Sequence, residues 1–459
     1  MENWLKKAYE DVPEKTAVKY GEETITYKVL YEEALALAGK IKSLGEKRIG
    51  VYIYNSLESL KLIHALMQAQ VEIVFINTRL THREITVQLE DVDVSTIIAT
   101  KPFEIDGFEI IGFEALDQLE SVDFETGPVE EDDTLSIMFT SGTTGRAKAV
   151  RQTYLNHYAS AKGCKSRFGY DMDSVWLQIN PIFHISGLSI VIRTVIVQCT
   201  NILVDKFDEE EIFILLKKNS VTHTSLVPIM LERLLAISND FGSQLKGILL
   251  GGAGVTKNVL KEALDNRLPV YNSFGMTETC SQIVSISYHD EKILDGTVGK
   301  ALENVNIKVD DNDELLVKAD NVTPGYLNAP IEQKDGYFKT GDLAHIDGEG
   351  YLYILDRRKD LIISGGENIY PKEIEDRVHE VVGVERCVVV KVKSAKWGEA
   401  PLLLVQGEKD IEEDILNHLN KTLARYKMPK DIRFVDDIIM TSTGKVSRQQ
   451  NFEYYIKEK

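Results

Sequence analysis

A run of hydroxyls and glycines closed by a lysine is the stretch of this chain best suited to chemistry. It spans 137–148 (IMFTSGTTGRAK) and holds Thr140, Ser141, Gly142, Thr143, Thr144, Gly145 and Lys148. Small residues let backbone N–H groups approach a ligand, the hydroxyls add donors and the lysine adds charge. That set suits a polyphosphate, with its many acceptor oxygens and several negative charges. The spacing is not that of the usual nucleotide triphosphatase loop, in which Lys and Ser/Thr directly follow the second glycine. Three further stretches carry candidate groups. The segment 272–278 (NSFGMTE) follows a strand-like run and ends in the carboxylate of Glu278, and 251–254 (GGAG) offers flat backbone for a base. Asp342, in 340–342 (TGD), reads as a turn carboxylate able to accept two ribose hydroxyls. Lys445 closes the polar stretch 441–445 (TSTGK).

These groups need a scaffold, and the hydrophobic pattern supplies one. An apolar run at 135–139 leads into the loop and reads as a buried strand. Strand-like runs at 48–54, 71–76 and 94–99 alternate with helical patterns at 56–69, capped by Ser56, and 81–90. That rhythm predicts crossover units and a mostly parallel sheet. It continues through helices at 153–163, 209–218 and 256–265 and strands at 175–179, 201–204, 221–227, 245–250 and 269–274. Past Gly299, short runs at 305–309, 314–318 and 351–355 predict a meander or small barrel. After 356–360 comes a compact unit with a Gly-Gly turn, a helix over 371–382 begun by proline, and a helix over 411–423. Strands at 386–392, 402–406 and 433–435 complete that unit. The expected fold is α/β: a large N-terminal domain, 1–355, of mixed or parallel sheets with helices and a barrel-like part. A small α+β C-terminal domain, 356–459, follows.

Composition excludes several functions. The chain has 459 residues, 43% hydrophobic and 27% charged, the balance of a globular protein with more than one domain. A net charge of −19 argues against nucleic acid, and an anionic cofactor would then need local positive groups. Cys164, Cys199, Cys280 and Cys387 are too scattered for a zinc pattern or a disulfide framework. That usage predicts a reducing, cytoplasmic compartment. The apolar region 176–204 is interrupted by Asn180, Pro181, His184 and Arg193, so no membrane span is expected; no apolar signal region opens the chain.

The hydroxyl-glycine loop, 274–278 (FGMTE), 340–342 (TGD), 356–359 (DRRK) and 444–445 (GK) occur in one order along nearly the whole chain. In this the chain resembles the acyl- and aryl-CoA ligases of the adenylate-forming superfamily, which also includes firefly luciferases and the adenylation domains of peptide synthetases. Finer matches at 156–164 (NHYASAKGC), 181–188 (PIFHISGL), 277–282 (TETCSQ) and 360–371 (DLIISGGENIYP) resemble the branch of these ligases whose acid is 2-succinylbenzoate, in menaquinone synthesis.

The resemblance implies two steps that use ATP, Mg²⁺ and coenzyme A. A carboxylate attacks the α-phosphate of ATP to give an acyl adenylate and pyrophosphate, and the CoA thiol then displaces AMP. It implies that Lys445 bridges carboxylate and α-phosphate, that 140–148 holds the other phosphates, and that Glu278 holds the metal. Asp342 and Arg357 would meet the ribose. Gly251, Gly252 and Ala253, with Asn272, Ser273, Phe274, Gly275, Met276 and Thr277, would flank the adenine and phosphates. The aromatic acid would lie against His184, Arg193, Gly252 and Ser281. Asp356 would be the hinge of a mobile C-terminal domain, and Ser364, Gly365 and Gly366 would line the CoA path. Ala147 replaces a proline common before the loop lysine, and His184 replaces the Asp of amino-acid-adenylating relatives, which argues against an amino-acid substrate.

Plainer readings stand beside these. Glu278 could be a carboxylate at a helix start, and His184 a satisfied core histidine. Arg193, in an apolar segment, needs an anionic partner: an internal Asp or Glu, or the second carboxylate of the acid. Lys391, Lys393, Lys396, Arg425, Lys427 and Lys430 could meet CoA phosphates or form a solvated face. Assembly into a homo-oligomer is left open.

Overall fold

The computed structural model describes residues 1–140, 146–218, 220–364, 367–394, 397–441 and 444–457. Two large sheets form the body. One has nine strands; its centre is six parallel strands, in the order Val270–Met276, Gly247–Leu250, His223–Leu226, Val175–Gln178, Thr200–Leu203 and Thr16–Tyr20. Antiparallel strands close both edges, Ser281–Ser287 and then Lys300–Ala301 beyond Val270–Met276, and Glu23–Thr26 beside Thr16–Tyr20. The other sheet has seven strands and is parallel through Thr134–Thr140, Glu72–Phe75, Arg48–Tyr52, Thr96–Ala99 and Glu109–Gly112. The parallel strands read as apolar runs because helices cover them.

Local signals explain the helices that the sequence announces. Ser56 accepts from the Ser59 amide and starts the helix Leu57–Gln68, and Thr81 with Glu84 forms a capping box at the head of His82–Glu90. The interrupted apolar region at 176–204 is a strand, then the helix Ile185–Ile196, then a second strand. That helix is buried nearly all round, sharing one core with Tyr27–Ser43, Leu57–Gln68 and the strand Arg48–Tyr52. Among the described residues no helix is long and apolar enough to cross a membrane.

The expected meander or small barrel is a five-stranded antiparallel sheet built on Glu314–Lys318, Tyr337–Ile346 and Leu352–Arg357. Beyond it a last five-stranded sheet carries Val384–Ser394 paired with Gly398–Gly407. Cys387 and Val389 enter one apolar cluster while Val388 and Val390 enter another, so this unit has its own core on both faces of its sheet. The helix expected over 371–382 stops at Val378; Val382 is 92% exposed and Gly383 adopts φ +93°, which ends the segment.

Two motifs sit differently from expectation. The strand expected over 269–274 runs on through Gly275 to Met276, extended by its partner Ser281–Ser287, so that 272–276 lie inside it. Thr340, Gly341 and Asp342 lie not in a turn but inside Tyr337–Ile346, with Asp342 opposite Arg357 in the neighbouring strand. In both cases pairing with a later segment carries the strand through its glycine.

Candidate active site

The phosphate-loop candidate is flanked by two paired strands. Thr134–Thr140 pairs antiparallel with Lys148–Thr153, and Thr140 stands opposite Lys148. Ser141, Gly142, Thr143, Thr144 and Gly145 lie outside the described residues. Asn328 clips the second of them: its Nδ2 donates to the Ala147 carbonyl at 2.8 Å and its Oδ1 accepts from the Ala149 amide at 2.8 Å.

Glu278 is presented by the tight turn Thr277–Thr279, and all three carbonyls of that turn are tied from outside. Gln152 Nε2 donates to Thr277 O at 2.8 Å, the Thr323 amide to Glu278 O at 2.7 Å, and Asn321 Nδ2 to Thr279 O at 2.9 Å. Ser136 Oγ donates to Gln152 Oε1 at 2.6 Å and lies 2.8 Å from His157 Nε2, so the strand leading into the loop is bonded to the turn. His157 Nδ1 lies 3.3 Å from Cys280 Sγ, and Cys280 leaves the turn at φ +48°. A non-glycine residue is held there only when its surroundings require it. Gly275 is needed for a different reason: a Cβ there would stand 2.1 Å from the Ser281 carbonyl oxygen.

A cavity of about 610 Å³ opens beside this turn. One wall is the backbone of Gly251 and Gly252; Ser273, Gly275, Met276 and Thr277 continue it. The lining also includes His184, Arg193 and Ser281, together with Tyr54, Arg79, Phe207, Ser225 and Met230. Gly444 and Lys445 reach it from the C-terminal unit. Ala253, Asn272 and Phe274 are adjacent in sequence but are not among its lining residues, and neither is Ser364. Ser364 lies in the last sheet, paired with Glu367 and Gly398; Gly365 and Gly366 are outside the described residues.

Several buried polar atoms of this lining lack a partner: Arg193 Nε, His184 Nε2 and Ser225 Oγ. Arg193 is 1% exposed, and its Nη2 donates to Gln282 Oε1 at 2.8 Å and Ser160 Oγ at 3.3 Å. No carboxylate pairs with it among the described residues, so the internal Asp or Glu is not there. Burial, then Arg79 and Lys445, pushes the His184 imidazole down to about 4 and keeps it neutral.

Asp342 Oδ1 pairs with Arg357 Nε at 2.9 Å, while its Oδ2 is buried without a partner. Burial pushes this carboxyl up to about 6, opposed by Arg357 and Lys445. Lys445 stands within the field of the same cluster: desolvation and then Arg357 lower its ammonium, while Asp342 and Glu278 raise it. Asp356 is 5% exposed and accepts from the Arg357 and Lys372 amides, each at 2.8 Å. Of the candidate CoA-phosphate cations, Lys427 is paired with Glu373 at 2.6 Å and Lys391 with Glu399 at 3.4 Å.

Glu278 is 7% exposed, with one oxygen accepting from the Tyr326 hydroxyl at 3.0 Å. No group of three or more His, Cys, Asp or Glu gathers for a metal among the described residues. One buried carboxylate bonded to Tyr326, over whose ring Lys148 lies, fits Mg²⁺, which takes few protein ligands and completes its shell with phosphate and water oxygens.

Ser225, Gln152, Tyr326 and Asn328 belong to this site without any sequence motif to mark them. Gln152, Tyr326 and Asn328 each act through a partner far along the chain, whereas Ser225 is placed by its strand His223–Leu226.

Parallel sheets carrying a cavity of about 610 Å³, with a lysine brought to it from the C-terminal unit, fit an adenylate-forming enzyme. The chain belongs to the AMP-binding enzyme family, whose profile matches residues 5–327, and the profile of the AMP-binding enzyme C-terminal domain matches 373–445. It is 44% identical, over 98% of this chain and 97% of the relative, to the 2-succinylbenzoate–CoA ligase of Staphylococcus epidermidis. Among solved structures it is similar to the o-succinylbenzoate CoA synthetase (MenE) of Bacillus subtilis, at 32% identity. The TM-score is 0.92 with its complex with the acyl-adenylate intermediate OSB-AMP, over 98% of both chains. It is 0.91 with the complex of ATP and magnesium ion, over 98% and 99%. Against a double mutant bound to the product analogue OSB-NCoA it falls to 0.76, over 98% of both chains.

Proposed function

We propose that this chain ligates 2-succinylbenzoate to coenzyme A at the expense of ATP, through an acyl adenylate, as a step of menaquinone synthesis in the cytoplasm. One observation carries the reading: the cavity that receives Lys445 also contains a buried guanidinium with no carboxylate partner among the described residues. An acid with two carboxylates suits both ends, one at the reacting phosphate and one at Arg193.

In the first half-reaction a carboxylate oxygen attacks the α-phosphorus and pyrophosphate leaves. Two anions must approach each other, so fixed positive charge in a closed site is the main requirement. Lys445 supplies it between the acid and the α-phosphate, and Lys148 holds the departing phosphates with the hydroxyl-glycine run that precedes it. Glu278 would hold Mg²⁺, which neutralises phosphate charge when bound. Asp342 Oδ2 accepts from the ribose hydroxyls, Arg357 orients that carboxylate, and Gly251, Gly252 and Ser273 form the bed for adenine. Neutral His184 lines the acid without repelling Lys445.

In the second half-reaction the CoA thiol attacks the acyl carbon and AMP leaves. Residues 356–459 act as a unit turning about Asp356, which carries Lys445 away and brings 364–366 toward the pantetheine arm. The higher similarity to the adenylate complex than to the product-analogue complex, 0.92 against 0.76, supports that turn. Thioester formation measured with a panel of acids tests the reading. Thioester and AMP from 2-succinylbenzoate are expected; product from a long-chain acid alone, or a requirement for an added carrier protein, would overturn it.

A further inference from the structure

Lys148 and Glu278 carry opposite charges, are both assigned to the metal-bound phosphates of ATP, and come to the same side chain. Tyr326 lies on the short strand Gly325–Tyr326, paired antiparallel with the strand that Lys148 begins. The Lys148 ammonium lies 4.8 Å from the centre of its ring, and its hydroxyl donates to Glu278 Oε1 at 3.0 Å. Neither charge forms an ion pair among the described residues. The segment leading to Tyr326 is fixed, since Thr323 Oγ1 donates to the Arg151 carbonyl and, at 2.8 Å, to that of Gly325.

A direct Lys148–Glu278 ion pair would neutralise both groups, and a nucleotide would have to break it to enter. The ring offers the ammonium a weaker neutral partner, and the phenol offers the carboxylate another. We propose that Tyr326 is a positioning residue that holds Lys148 and Glu278 apart and aimed, leaving both available to the polyphosphate–metal end of ATP. This rests on the assignment of those two residues to that end.

The test is calorimetric titration of ATP into the full-length protein, with Mg²⁺ or with EDTA, in the absence of acid and CoA. Tyr326→Phe keeps the ring and removes the hydroxyl. It should leave the EDTA affinity unchanged and raise the Mg²⁺ concentration for half-maximal enhancement about tenfold. Tyr326→Leu removes the ring as well, and should weaken ATP about tenfold even in EDTA, because Lys148 then closes onto Glu278. Adding Glu278→Gln to that variant should restore the EDTA affinity, a rescue that mere loss of packing would not give. Wild-type behaviour of Tyr326→Phe in both titrations, or equal losses with and without Mg²⁺, would overturn the proposal, and the Phe variant decides alone if the Leu variant does not fold. Glu278→Gln by itself separates the two levels. If it leaves the Mg²⁺ dependence unchanged, the metal assignment fails and this inference with it; if it weakens Mg²⁺ while both Tyr326 variants match wild type, only this inference fails.

Discussion

On the proposed function, selection of the acid turns on Arg193. Its guanidinium is 1% exposed and among the described residues is bonded only to the neutral Gln282 and Ser160, with no carboxylate to compensate it. A carboxylate completing that site is worth several kcal/mol, since an unpaired buried charge costs about 3–5 kcal/mol. Arg193→Met should therefore lower kcat/KM for 2-succinylbenzoate by about 100-fold or more. The analogue lacking the ring carboxylate should be little affected, and equal losses for both acids would contradict the assignment. Lys445 carries a second prediction at this scale. Adenylation needs its ammonium, and desolvation and Arg357 lower it from the ordinary 10.5. The rate of adenylate formation should thus fall on the alkaline side at a pH below that value. Arg357→Met removes a lowering cause, so the fall should move to higher pH however much the overall rate drops; a move downward would refute the coupling.

At the scale of elements, the strands Val270–Met276 and Ser281–Ser287 hold the nucleotide wall to the acid wall. A Cβ on Gly275 would meet the Ser281 carbonyl at 2.1 Å, so Gly275→Ala must separate them. Overpacking of that kind costs about 1–3 kcal/mol, and urea unfolding should show it together with a higher KM for both ATP and acid; unchanged values would contradict the close approach. The helices Leu57–Gln68 and His82–Glu90 were legible because their caps lie within a few residues of their first turns. Ile185–Ile196 was not read as a helix, since burial all round leaves no polar face to mark a period. The strands through 272–276 and 340–342 continue because later segments pair with them, which a local reading cannot see. Lys445 was legible only through the order of motifs. Tyr326 and Asn328 carried no signal, their partners lying 48 and 181 positions away.

Charge and motion belong to the whole molecule. The chain carries −19, yet the cavity wall holds Arg79, Arg193, Lys206, Arg233 and Lys445 against Asp205, the local positive field that an anionic nucleotide and acid require. Burial also sets the response to acid. His64 and His223 are pushed down to about 4 and His157 to about 3, against 6.5 unfolded. Depressed folded values mean the unfolded chain takes protons first, so this stability is complete above pH 6.5 and is lost as the pH falls toward 4 and 3. The loss is roughly 3 kcal/mol each for His64 and His223 and roughly 5 kcal/mol for His157 at full protonation, so thermal melting should drop steeply below pH 6; a flat profile from pH 7 to 4 would contradict their neutral burial. The central claim is that one cavity performs two reactions and that Lys445 serves only the first. The most direct measurement compares Lys445→Ala with the parent protein in the two half-reactions separately. Adenylate formation from 2-succinylbenzoate and ATP should fall by about 100- to 1,000-fold, while thioester formation from pre-made succinylbenzoyl adenylate and CoA stays near the parent rate. Equal loss in both, or loss in neither, would contradict it.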